Sequence, residues 1–126
     1  MSGHMTEDQT LLQDAAERYL RDSYDFNQRR ERIAEGVYSD PNQWQAFAEM
    51  GWLARPVAEE FGGLGMGARE MAILAELCGQ FLITEPLIDA LAATHAIIGV
   101  SQQQESLLPQ VAEGELIPVA AIDEAE

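Results

Sequence analysis

The sequence predicts an all-α domain of five to six helices in an orthogonal bundle, followed by a short C-terminal strand. Three observations predict it. Apolar residues recur at helical spacing in several separate stretches, such as Leu11 to Leu20 and Met71 to Cys78. Helix-start signals stand ahead of such stretches, among them Thr6 with Gln9 and Asp40 with Pro41. Only one apolar run, Leu116 to Ile122, lacks helical spacing, and it reads as the strand.

The first helix is set by Thr6 and Gln9, a capping box, and by Leu11, Leu12, Ala15, Ala16, Tyr19 and Leu20. It runs from about Glu7 to at least Ser23. Asp14 with Arg18 and Glu17 with Arg21 are neighbours four apart with the acid first, the favourable order. Beyond Phe26 the chain turns polar, and Arg29, Arg30 and Arg32 form its only dense basic group. They either extend the helix or lie on a loop. A solvated surface outweighs a phosphate contact for them.

Asp40 caps the second major helix, and Pro41 takes its first position, where a missing N–H is harmless. Gly51 ends it. From Trp44 to Gly67 the chain reads WQAFAEMGWLARPVAEEFGGLGMG, a helix followed by a long apolar loop and a glycine-dense turn. Two tryptophans and Phe61 are too apolar to leave in water. The stretch is expected to be a covered clasp between two helical halves, with Trp52 and Phe61 largely buried.

A central helix follows from near Ala68. It buries Met71, Leu74, Ala75 and Cys78, is apolar nearly all round, and is closed by Gly79. Thr84 caps the next helix, with Glu85 and Pro86 in its first turn and Gly99 at its end. His95 beside its apolar surface reads as a hydrogen-bonded core or boundary histidine ahead of a ligand or base. Ser101 with Gln104 starts the last helix, which Pro109 kinks or splits and Gly114 closes.

At 126 residues the chain is long enough for one domain with a core. Twenty-two acidic against seven basic residues give a net charge of −15, a surface poorly suited to nucleic acid or anionic membrane. No stretch reaches the roughly 20 apolar residues of a membrane span. Residues 1–5, MSGHM, read as a vector-derived remnant. Cys78 is the single cysteine, so no internal disulfide is available and a buried structural thiol outweighs a nucleophile. A lone cysteine fits a cytoplasmic setting.

The glycine cluster GGLGMG lacks the G-x-G-x-x-G spacing of a dinucleotide loop, and the chain has no lysine for a Walker-type loop. Turn geometry and close packing are therefore expected there. Glu59, Glu60 and Glu85 are candidate acid/base groups, but carboxylates in a loop are usually solvated and none is assigned. No catalytic residue and no metal site is expected.

A helix ending in EMGWL, then a proline, then EEFGGLGMG and another helix resembles the N-terminal domain of the acyl-CoA dehydrogenase family. Glu59, Glu60, Phe61, Gly62 and Gly63 carry most of the resemblance. The tail extends it, since a helix reaching Leu-Pro and a Gly-Glu turn lead in that family into the first strand of a β-domain. After that strand the family usually reads Thr-Glu-Pro, and of these only Glu124 matches here. The resemblance implies a helical domain over residues 6–115 and the start of a β-barrel domain over residues 116–126. It implies an enzyme that introduces an α,β double bond into an acyl-CoA thioester with FAD, as a homo- or hetero-oligomer. The base of that reaction lies in a C-terminal helical domain beyond this chain. The 126-residue chain alone is expected to be inactive and to hold no FAD. By the same resemblance Ile83, Pro86, Leu87 and Ala90 help close the far end of the acyl tunnel. The alternatives are a free-standing helical interaction module and a non-catalytic partner subunit of a heteromeric dehydrogenase.

Overall fold

A computed structural model describes residues 4–100 and 104–121, all helix, turn and loop. Six α-helices follow in order: α1 (Glu7–Ser23), α2 (Phe26–Ala34), α3 (Pro41–Glu49), α4 (Ala68–Gln80), α5 (Leu87–Val100) and α6 (Gln104–Ala112). One 3-10 turn, Glu59–Phe61, interrupts the long loop between α3 and α4. Helix α1 packs on α4, α4 on α5, α5 on α6, and α6 on the 3-10 turn.

Local signals set most of the boundaries. The Thr6 hydroxyl accepts the Gln9 N–H at 3.2 Å while the Gln9 side chain accepts the Thr6 N–H at 3.0 Å, closing the capping box. The Gln9 amide also donates to Glu70 at 3.0 Å, which ties the start of α1 to the first turn of α4. The Asp40 carboxylate accepts from the Asn42 N–H at 2.9 Å, with Pro41 opening α3. The basic segment after Phe26 forms its own helix, α2, because Asp25 caps it through the Asn27 N–H. Of the two acid-first pairs on α1, Glu17 and Arg21 meet, at 2.6 Å.

Three helix ends differ from expectation. Gly79 does not close α4, which runs on to Gln80; the left-handed residue after it is Leu82, at φ 53°. Thr84 does not cap α5, which begins at Leu87, because its hydroxyl lies 3.0 Å from the Tyr24 oxygen instead. Gly99 lies inside α5, which continues to Val100. Helix α6 runs through Pro109 without a break, and the Ser101 cap lies outside the described residues. The expected strand is not formed over Leu116–Ala121. None of Ile117–Ala121 pairs its backbone within the described residues, and a lone strand has no ladder to join.

The clasp is where the core is assembled. Trp52 stacks on Phe47 with ring centroids 4.8 Å apart, and Tyr19 from α1 meets the edges of both rings. Trp52 and Leu53 belong to the larger apolar cluster, built from α1, α3, α4 and α5. Ala54 and Val57 belong to a second cluster with Leu108 and Ala112 of α6. Adjacent residues of one loop thus serve two cores. Phe61 is only half-buried, against the second cluster, because it closes an exposed turn rather than entering either core.

The glycines of this loop serve close packing. A Cβ on Gly63 would stand 1.9 Å from the Val57 carbonyl oxygen, so no side chain fits. The N–H groups of residues 62–66 are all given to carbonyls of residues 54–59. A loop with its N–H groups spent inward has none of them left to cradle a phosphate.

Helix α4 is less enclosed than its composition suggests. Met71 and Ala75 are half-buried and Ala72 is exposed, so one side opens onto an apolar groove shared with α5. His95 stands exposed on that groove instead of in the core. No helix among the described residues is long and apolar enough to cross a membrane.

Trp52→Ala is expected to cost about 3–5 kcal/mol, since it empties the stack at the joint of the two clusters. Urea unfolding checks this; a midpoint near that of the unmodified chain would show the loop to be mobile. Phe61→Ala should fall below that range because the ring is only half-buried.

Candidate functional site: a cleft at the α4–α5 connection

A cleft of about 530 Å³ lies between α2 and the segment joining α4 to α5. Ile83 and Pro86 line it, with Leu82, Ile88, Arg29 and Asp89 around them. Of the four residues assigned to an acyl tunnel, these two reach the cleft. Leu87 and Ala90 lie in the main apolar cluster, at 1% and 2% exposure, because they start α5 on the side that faces α1 and α4. They back the wall rather than form its surface.

A buried polar knot holds the connector. Tyr24, just past α1, donates its hydroxyl to Glu85 Oε2 at 2.7 Å and accepts the Thr84 N–H at 2.8 Å. The Glu85 side chain is fully buried, and Arg32 Nη1 lies 3.7 Å from its Oε1. The same nitrogen lies 3.8 Å from Asp40 Oδ2, and the guanidinium sits over the Tyr24 ring, 5.3 Å from its centroid. Arg29 Nε donates to the Leu82 carbonyl at 2.6 Å, fastening α2 to the connector. Two members of the basic group are thus spent on structure. Burial raises the pKa of Tyr24; the Thr84 N–H opposes the rise and Glu85 adds to it.

The cleft carries one exposed carboxylate, Asp89, at its rim. Glu85 is engaged by Tyr24, while Glu59 and Glu60 are exposed on the 3-10 turn, elsewhere in the fold. Cys78 borders the cleft, but burial, with a contribution from Glu85, pushes its thiol from 9.0 up to about 11. It stays protonated near neutrality and is a poor nucleophile. Among the described residues no cluster of His, Cys, Asp or Glu could hold a metal. What the cleft offers is an apolar wall with the Arg29 guanidinium and the Asp89 carboxylate at its edge.

Nothing local marks Tyr24, Thr84 and Arg29 as parts of this site. Tyr24 and Glu85 are 61 positions apart, and only the packing of α1 on α4 brings them together. The one available signal was Glu85 itself, an acid between Thr84 and Pro86 in an otherwise apolar run.

Two outcomes are expected. Tyr24→Phe leaves the buried Glu85 carboxylate without its best donor and should cost about 1–3 kcal/mol by urea denaturation. For Cys78 the folded pKa lies above the unfolded one, so its stabilising contribution is complete below pH 9.0 and is lost as pH rises towards about 11. Stability measured across that window should fall, and Cys78→Ala should flatten the decline; an unchanged slope would assign it to other groups.

A model of the acyl-CoA dehydrogenase N-terminal domain matches residues 6–115. Among curated proteins, the chain is 28% identical over 111 residues to acyl-CoA dehydrogenase IpdE2 of Mycolicibacterium smegmatis, covering 87% of this chain and 35% of that protein. It is 30% identical over 84 residues to (2S)-methylsuccinyl-CoA dehydrogenase of Cereibacter sphaeroides, covering 64% of this chain and 15% of that one. Among solved structures, the ChsE4-ChsE5 complex from Mycobacterium tuberculosis superposes with a TM-score of 0.64 at 26% identity. That match covers 92% of this chain and 30% of the solved one. The chain therefore spans about a third or less of the length of these relatives. With the helical fold, the clasp and a family match over nearly its whole length, this chain belongs to the acyl-CoA dehydrogenase family, as an N-terminal domain of it.

Proposed function

We propose that this domain works as the N-terminal part of a flavin-dependent acyl-CoA dehydrogenase, where it shapes the far end of the acyl tunnel and packs against the flavin-carrying domains. The observation that carries the reading is the placement of Ile83 and Pro86 together on the apolar wall of a mixed-polarity cleft of about 530 Å³, a volume suited to a small ligand. Leu87 and Ala90 contribute from behind: as core residues they fix the start of α5, and with it the wall. Such a surface orients an acyl chain and excludes water from it without touching a proton.

The remaining chemistry falls to other parts of the enzyme. When bound in a full-length member, the flavin accepts the hydride from the β-carbon. Removal of the α-proton needs a positioned base. Glu85 is tied to Tyr24, Glu59 and Glu60 lie on a distant turn, and Asp89 stands in water at the cleft rim, which supports a base outside this chain. The inward-spent N–H groups of the glycine loop support the same division for FAD. Residues 116–126 are proposed as the lead into a β-barrel domain. A homo- or hetero-oligomer acting in the cytoplasm is part of the same reading; the solved neighbour is itself a complex.

The full-length protein that carries this domain should reduce an electron-accepting dye when given acyl-CoA. Ile83→Trp in it should lower kcat/KM for the longest accepted acyl chain by about tenfold, leaving short chains less affected. Equal loss on all chain lengths would remove Ile83 from the tunnel. The 126-residue chain should be colourless after incubation with FAD and removal of the excess, and should leave the dye oxidised. A yellow, dye-reducing preparation of this chain alone would overturn the division of labour.

A further inference from the structure

A second concavity lies between α1 and the clasp and shares no lining residue with the α4–α5 cleft. It encloses about 460 Å³, within the range of small-molecule sites. Leu11 and Ala15 of α1 form one wall; Met50, Trp52 and Met66 form the other. Leu11 is 60% exposed, a large apolar side chain at the rim of the groove.

Arg55 reaches into this apolar setting. It is half-buried, and its Nε is closed to solvent with no hydrogen-bond partner. Its Nη1 donates to the Met66 sulfur at 2.8 Å, and a thioether is a weak acceptor. The chain carries 22 acidic residues, yet among the described residues the ion pairs belong to Arg21 and Arg32 and none to Arg55. Glu70, the first of the acids that act on it electrostatically, gives a carboxylate oxygen to Gln9. Glu70 and Asp8 act on Arg55 without either forming an ion pair with it, and a guanidinium partly withdrawn from water with no directly bonded carboxylate is costly. The groove therefore supplies apolar surface beside a guanidinium that has no direct carboxylate partner. Asp8 also lines it, which disfavours a second negative charge on any occupant.

We propose that the groove between α1 and the clasp binds an apolar monocarboxylate, of the medium-chain fatty carboxylate class, with Arg55 holding the carboxylate and the tail lying along Leu11, Ala15 and Met50. A single carboxylate matches one guanidinium, with its planar fork of donors. A phosphate monoester, with its second charge, would meet Asp8.

Decanoate is the probe, titrated below its micelle threshold into the 126-residue chain, with calorimetry and amide NMR as readouts. Saturable binding at one site is expected, with shifts concentrated on α1 and around residues 50–55. Arg55→Gln should weaken it by about tenfold or more, the loss of a charge-assisted contact. Asp8→Asn should tighten it, and decanol should bind more weakly than decanoate. Leu11→Glu, at an exposed position where folding is not at risk, should abolish it; that variant keeps the test decisive if Arg55→Gln fails to fold. No saturable binding, or binding unchanged in both Arg55→Gln and Leu11→Glu, would overturn the proposal. So would failure of decanoate to bind while Arg55→Gln lowers self-association in sedimentation, since the groove would then receive a carboxylate from a second copy.

Discussion

The fold depends on one loop being held against both halves of the molecule. Trp52 is pinned by a stack on Phe47 and an edge from Tyr19, while Ala54 and Val57, a few residues on, enter a different cluster with α6. A loop this apolar is stable only when covered. It is covered because its polar backbone is satisfied internally, with the N–H groups of residues 62–66 returned to carbonyls of residues 54–59. That return path brings Gly63 onto the Val57 carbonyl, where even a methyl group has no room. The glycine run, superficially like a nucleotide loop, is a consequence of this folding back.

A second, polar constraint fixes the cleft. The chain is strongly acidic, and surface acids cost little because water screens them. Glu85 differs because it is fully buried, so it requires partners. Tyr24 and Arg32 supply them, and in doing so join the end of α1, the helix α2 and the α4–α5 connector at one point. The cleft proposed for the acyl chain opens beside that point. Its apolar wall is positioned by polar contacts that take no part in the chemistry. Leu82, left-handed at φ 53° on the cleft lining, sits in a conformation branched side chains adopt at a cost of about 1–2 kcal/mol. Its carbonyl is held by Arg29.

Some helix faces stay open among the described residues. It matches about a third or less of its relatives' length. Helix α4 is apolar nearly all round, yet Ala72 and the neighbouring α5 residue Ala92 are exposed, with Met71 half-buried between α4 and α5. A helix of that composition is built to be enclosed. Its main packing partners among the described helices are α1 and α5. His95 is exposed for the same geometric reason, since it lies on the face of α5 that borders this groove.

By itself the sequence determined the family, the helical class and the elements governed by local chemistry. The capping box at Thr6, the Asp40–Pro41 start, the covered Trp52 and the buried thiol of Cys78 were all legible, because each signal spans a few residues or follows from burial of one side chain. Helix α2 stays open between two readings in the sequence, since its polar stretch carries little apolar periodicity and its Asp25 cap passes as another surface acid. Only the tertiary structure decided what depends on distant partners. Thr84 reads as a helix cap until Tyr24, sixty positions away, takes its hydroxyl and N–H. Gly79 reads as a terminator until the fold places the left-handed turn on Leu82, held by Arg29. Ile83, Pro86, Leu87 and Ala90 look alike as apolar positions. Which two face a cleft and which two face the core depends on where α5 begins, and the packing of α1, α2 and α4 around Glu85 sets that point.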